Sequence, residues 1–115
     1  MGRPNFIELP THDLANSQLF FERVFGMKMT EFGPTYACTL TGDVDIGLQA
    51  DQAEVTKAPL PVIEVKDLEA TIAAVIETGA TITKPIFGFP GGRRFHFLDP
   101  SGNELAAMQV DAPSA

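Results

Sequence analysis

The sequence predicts an α+β fold of two βαβββ modules whose strands form a cupped, incomplete barrel-like sheet, and three observations carry that prediction. The chain repeats itself once. Each copy opens with a strand that runs into an Asp-Leu pair and an amphipathic helix stopped near a Gly. Each copy closes on short β-patterned segments punctuated by Gly, Pro and Asp. Phe6 precedes Asp13-Leu14 by the interval at which Leu60 precedes Asp67-Leu68, and Gly42 leads to Gln49 as Gly102 leads to Gln109. A βαβββ unit alone leaves one apolar sheet face exposed, whereas two copies bury both faces around a cleft. A chance echo within an ordinary α+β sandwich is the alternative.

The elements follow in order. Residues 5–9 read as a first strand closed by Pro10. Residues 13–25 read as a helix: Leu14, Phe21, Val24 and Phe25 fall on one face, Asp13 stands at the N-cap, and Gly26 ends it. Strands are expected at 27–32, 36–41 and 44–50, with Gly33-Pro34 and Gly42-Asp43 as turns. The polar stretch 51–59 is the linker between module one, about 5–50, and module two, about 60–110, of a single domain spanning 1–115. In module two a strand is expected at 60–65 and a helix at 67–78, with Leu68, Ile72, Val75 and Ile76 on one face and Gly79 as its stop. A further strand starts at 81–83, and 87–92 reads as a Gly/Pro-rich loop. Strands at 93–98 and 104–110 are joined by the turn Asp99-Pro100-Ser101-Gly102-Asn103, and the tail from Asp111 to Ala115 is expected to fray.

Composition narrows the function. At 115 residues and 44% hydrophobic, with nine Phe and no Trp, the chain suits one domain with a Phe-rich core. Fifteen acidic residues against eight basic ones give a net charge of −7, which argues against nucleic acid or an anionic membrane as a partner. The single Cys38 allows no internal disulfide and sits in an expected strand, where a packed, inert thiol is favoured over a reactive one. No apolar run approaches the roughly 20 residues needed to span a bilayer, and the start shows no signal-peptide pattern. A cytoplasmic location is expected.

Motif by motif, the chain resembles a known family. Phe6-Ile7-Glu8-Leu9-Pro10 runs into Asp13-Leu14, and Phe20-Phe21 lies in the helix before Val24-Phe25-Gly26. In the second half, Asp67-Leu68 precedes a helix ending at Gly79-Ala80, and Pro90 to Leu105 contains Phe95-His96-Phe97-Leu98-Asp99-Pro100-Ser101-Gly102-Asn103-Glu104-Leu105. Over roughly Asn5 to Gln109 this resembles the glyoxalase/bleomycin-resistance/dioxygenase (vicinal oxygen chelate) superfamily, most recognisably in the Asp-Pro-x-Gly-Asn turn. The resemblance implies a glyoxalase-like fold. It also implies, for the family's enzymes, a divalent metal held by His, Gln or Glu from the first and last strands of each module. Carried onto this chain, those positions are Phe6, Leu60, Ile46 (or Gly47, one residue along) and Ala106, and none offers a side-chain ligand. Glu8, His12, Gln49, Glu64, His96, Glu104 and Gln109 are the residues from which a relocated site would have to be assembled.

Four residues stand out as ligand-binding candidates: Glu8, Glu64, Arg94 and His96. Two positions from Phe6 and four from Leu60, Glu8 and Glu64 share the inward parity of those residues; the opposing reading puts each in solvent at a strand edge. On the hairpin, Phe95 and Phe97 suit the core against a helix, which leaves Arg94 and His96 on the other face. There an Arg would grip an anion and a His would exchange a proton near neutral pH. A partly exposed strand His and a solvated Arg93-Arg94 pair are the plainer readings. Phe32, Tyr36, Phe87 and Phe89 are candidate lining residues. Gly88, Gly91 and Gly92 lack the strand–turn–helix context of a dinucleotide site, and no nucleophile signature is present. By resemblance, the expected function is metal-free small-molecule binding of the bleomycin-resistance type. The partners are then a small-molecule ligand and a second copy of the chain in a homodimer, with no cofactor. A glyoxalase-like lyase or isomerase acting next to a carbonyl with relocated acid/base residues is the alternative, and a ligand-free assembly module a third reading.

Overall fold

The structure, a computed structural model, describes residues 2–112. The chain divides into two compact units, one of residues 5–60 and one of 61–115 joined by 1–4. Each is a βαβββ module of the α+β class.

Module one consists of β1 (Arg3–Pro10), α1 (Leu14–Phe25), β2 (Thr30–Glu31), β3 (Tyr36–Cys38) and β4 (Asp45–Gln49). Its strand order is β2-β3-β4-β1, with β4 parallel to β1 and the remaining pairs antiparallel. Asp13 caps α1 by accepting from the Asn16 N–H, and Gly26 ends it in the left-handed region that a side chain would disfavour. Leu14 and Phe21 of α1 pack on Leu9, Met29, Ala37, Ile46 and Leu48, the core on one face of this sheet. Val24 and Phe25, expected on the same buried face, stay exposed in the last turn.

Module two repeats the plan with β5 (Leu60–Glu64), α2 (Leu68–Glu77), β6 (Ile82–Phe89), β7 (Gly92–Leu98) and β8 (Glu104–Val110). Its order, β6-β7-β8-β5, matches that of module one strand for strand, with β8 parallel to β5. Leu68, Phe95 and Ala107 form its core, with Val65, Ile72, Val75, Ile82, Ile86 and Phe97 around them. The expectation that Phe95 and Phe97 face a helix holds.

Three expected segments differ. The strand expected at 27–32 shrinks to Thr30–Glu31. The strand expected at 36–41 stops at Cys38, because Thr39 and Thr41 turn their hydroxyls onto the Asp45 carboxylate and offer the backbone an alternative to the ladder. The loop expected at 87–92 is mostly strand: Phe87, Gly88 and Phe89 pair with Arg94, Arg93 and Gly92. Only Pro90-Gly91 turns, with Gly91 at φ 99° supplying the left-handed residue such a turn needs. The irregularity in β6 lies earlier, in two register shifts between Ile82 and Phe87, where Pro85 has no N–H to give the ladder. In the expected frayed tail, the Asp111 N–H donates to the Gly91 carbonyl at 2.8 Å; residues 113–115 lie outside the described residues.

Candidate functional site

Strand pairing fixes which side chains share a face, because directly paired residues point the same way. In module one Glu8 pairs with Gly47 and Gly47 with Cys38, while Ile7 pairs with Ile46. Ile46 therefore turns toward α1, and Gly47 shares the far face with Phe6 and Glu8. In module two Val62 pairs with Ala106 as Glu8 pairs with Gly47. Gly47, rather than Ile46, is thus the counterpart of Ala106.

Gly47 is sterically shut. A Cβ placed on it would lie 2.5 Å from the Phe6 Cζ and collide with the Tyr36 hydroxyl. The Tyr36 hydroxyl itself donates to Glu8 Oε2 at 3.1 Å, and Glu8 is buried at 3% exposure. Leu60 and Ala106 are fully buried. The four positions at which the resemblance implies metal ligands, Phe6, Gly47, Leu60 and Ala106, carry apolar groups or no side chain. Among the described residues, no group of three His, Cys, Asp or Glu side chains is arranged to hold a metal ion. These residues do not fit a metal of the family's usual kind.

The far face of module two is richer in chemistry. Two rows of side chains cross its sheet. One runs Glu64, Met108, Arg94, Phe87 and the next Val62, Ala106, His96, Lys84. Three of the four sequence candidates, Glu64, Arg94 and His96, therefore share this face; Glu8 belongs to the corresponding face of module one. Arg93, adjacent in sequence, points the other way and forms a forked pair with Glu69 of α2, Nη1 to Oε2 at 2.5 Å and Nη2 to Oε1 at 3.0 Å.

Arg94 lies against two aromatic rings, with its guanidinium 5.3 Å from the Phe87 centroid and 5.8 Å from that of Phe89. Lys84 Nζ stands 4.8 Å from the same Phe87 ring. These are cation–π distances. His96, 2% exposed, places Nδ1 3.2 Å from Glu104 Oε2, and Glu104 also accepts from the Thr83 hydroxyl at 2.9 Å. Burial, then the Arg94 charge, push the His96 pKa below the ordinary imidazole value, with Lys84 acting in the same sense and Glu104 against it. Glu64 meets Arg3 Nη2 at 3.7 Å, a long and partly exposed contact. Sequence reasoning counted Glu104 only among donors for a moved metal and read Lys84 not at all. The signal for both was the β6–β7–β8 register, which the misread loop at 87–92 concealed.

Other expectations are answered on the way. Cys38 is buried, and burial followed by the nearby Asp45 charge raises its thiol pKa, which leaves it poorly nucleophilic. His12 is exposed. Gln109, with Oε1 accepting from the Leu68 N–H at 2.8 Å, serves the start of α2. A depression of about 490 Å³ in module one is lined by Gly26, Met27, Lys28, Thr30, Thr39, Leu40 and Thr41, and none of the candidate residues borders it.

Comparison with known proteins bears on the fold. The model of the Glyoxalase/Bleomycin resistance protein/Dioxygenase superfamily matches residues 3–107. An NAD-dependent benzaldehyde dehydrogenase structure from Legionella pneumophila superposes with a TM-score of 0.74 at 19% identity, covering 94% of this chain and 100% of that one. Methylmalonyl-CoA epimerase from Mycobacterium tuberculosis gives 0.74 at 13%, covering 95% and 88%. A glyoxalase/bleomycin resistance protein/dioxygenase superfamily member from Vibrio splendidus 12B01 gives 0.68 at 19%, covering 96% and 100%. At such identities the likeness is one of fold. No curated protein matches the sequence.

Proposed function

Because the chain belongs to the glyoxalase/bleomycin resistance protein/dioxygenase superfamily, we propose that it binds a small molecule without a metal, in the manner of the bleomycin-resistance type, and that the ligand is an anion with an apolar body. The observation that carries this reading is the cationic and aromatic face of module two. Arg94 and Lys84 both stand over Phe87, while the family's ligand positions Phe6, Gly47, Leu60 and Ala106 offer no donor. An apolar surface with a few convergent polar groups is the usual form of a small-molecule site. Arg94 supplies the fork that suits a carboxylate or phosphate, and Phe87 and Phe89 supply the surface on which an apolar body lies. Glu64, in the same row as Arg94, is the acidic contact of the proposal on this face; Glu8, held by Tyr36, belongs to the far face of module one. On the face of module two, Arg94 and Lys84 are matched in number by Glu64 and Glu104, so the Phe87 side, where both cations stand, is where an anion fits; the lone buried thiol suits a cytoplasmic protein.

Two measurements test the proposal. Elemental analysis of the purified protein is expected to find no stoichiometric Zn, Ni, Mn or Fe. In a screen of small aromatic and aliphatic acids by calorimetry, Arg94→Ala is expected to weaken the hits by about 1.5–3 kcal/mol, the scale for losing a charge-assisted hydrogen bond. Hits that bind the variant unchanged would remove the anion from the reading. About one metal per chain, lost to a chelator together with binding, would overturn the metal-free reading itself. The His96–Glu104 pair favours a second reading, a glyoxalase-like lyase or isomerase moving a proton next to a carbonyl. Turnover of a bound carbonyl acid, abolished by His96→Gln, would establish it.

A further inference from the structure

We propose that His96 selects the ligand by accepting a hydrogen bond through Nε2, so that the face takes a planar apolar anion carrying a hydroxyl opposite its charge. This deepens the anion-binding reading and rests on it. Three observations carry it.

The first is the tautomer. Glu104 Oε2 lies 3.2 Å from His96 Nδ1 and already accepts from the Thr83 hydroxyl. A carboxylate only accepts, so Nδ1 must carry the proton of a neutral ring. Nε2 is then left with a lone pair and no proton. The second is that Nε2 is buried and has no hydrogen-bond partner among the described residues. A buried polar atom with nothing to bond is the kind of feature that calls for an occupant. The third is spacing. Arg94 and His96 leave one strand on the same face two residues apart, which sets their origins roughly 6–7 Å apart. Both heads flank the Phe87 ring, which keeps them within about 11 Å of each other, a span in which a para-substituted ring fits with its anion toward Arg94 and its hydroxyl toward His96. Phe87 lies beside that span, 5.7 Å from the His96 ring and 5.3 Å from the Arg94 guanidinium.

The charged groups around His96 within module two are Lys84 from β6, Arg94 from β7 and Glu104 from β8. Burial and then the Arg94 charge disfavour an imidazolium, Lys84 acts with them and Glu104 against them, and the balance lowers the His96 pKa.

The test has two arms. Nitrogen NMR of the full chain with labelled histidine requires no variant. A neutral His96 ring with its proton on Nδ1 at pH 7 is the expected result, and Glu104→Ala should remove that preference while Glu104→Gln, whose amide oxygen still accepts, retains it. An imidazolium at pH 7, or a proton on Nε2, overturns the proposal. The second arm compares 4-hydroxybenzoate with benzoate by calorimetry. The hydroxylated acid is expected to bind about tenfold more tightly, as one hydrogen bond of about 1.4 kcal/mol gives, and Glu104→Ala should reduce that preference, read as the ratio of the two affinities within the variant. Equal binding of the two acids, both weakened by Arg94→Ala, overturns the role of His96 alone. Failure of both acids to bind, or indifference of both to Arg94→Ala, overturns the anion reading and this inference with it.

Discussion

Asp45 illustrates how much one side chain organises in this protein. It is buried at 9% exposure, and its carboxylate accepts from the Thr39 hydroxyl at 2.6 Å, the Thr41 N–H and hydroxyl at 2.8 Å each, and the Gly42 N–H at 3.2 Å. Burial raises its pKa, but these donors outweigh burial and hold the carboxyl below the usual range. Asp45→Asn sets an amide donor against one of them and is expected to lose about 1–3 kcal/mol of stability in urea unfolding. The pH dependence has a definite sign. With the folded pKa depressed, the stabilisation is complete above the unfolded value of about 3.9 and is lost as pH falls through the folded one. The variant should therefore show a shallower acid dependence. Nothing in the sequence marked Asp45, since a Thr-x-Thr-Gly-x-x-Asp loop reads as any polar turn. For Glu8 and His96, by contrast, the sheet face was legible, as that of Phe6 and that of Arg94, because a period of two admits no drift along a short strand, but their burial at 3% and 2% was not.

At the scale of the element, caps were the clearest signals. Asp67 accepts from the Ala70 N–H at 3.0 Å, as Asp13 does from Asn16 at 3.1 Å. Asp67→Ala is expected to cost about 1 kcal/mol, measured by thermal or denaturant unfolding, with Asp67→Ser restoring most of it. The start of α2 has a second support from Gln109, 41 residues away, and no local pattern announces such a bond. The same limit explains β6. Its length is set by pairing with β7, which overrides the low strand propensity of Pro85 and Gly88. The helix of module one was legible in its bounds but not in its burial: periodicity places Val24 and Phe25 on the apolar stripe, yet both stay more than half exposed, and Phe25 stacks on Phe21 of the same helix at a centroid distance of 6.1 Å.

For the molecule as a whole, the doubled order of strand, helix and three strands was legible because a duplication writes the same spacing twice. Among the described residues, no helix is long and apolar enough to cross a membrane. The exposed apolar side chains are concentrated in module one, where Leu19, Phe20, Val24 and Phe25 are 42–60% exposed along α1. Phe20 makes edge contacts with Phe21 and Phe25 at centroid distances of 5.3 and 6.2 Å. We propose that a second copy of the chain covers part of this apolar area in a homodimer. Light scattering at micromolar concentration is expected to give twice the monomer mass of 12.4 kDa, and a monomeric mass would count against it.

The closure of Gly47 has a historical consequence. Phe6 and Tyr36 occupy the room that a side chain at this position would take, so a mutation there to a donor meets a ring before it meets a metal. Phe6 stands at another of the family's ligand positions, and shrinking it first would leave a void beside Glu8 with no gain to offset it. A side-chain donor in place of Gly47 therefore asks the Phe6 and Tyr36 rings to move aside together. Innovation on this scaffold would then proceed through the hairpin that carries Arg94 and His96.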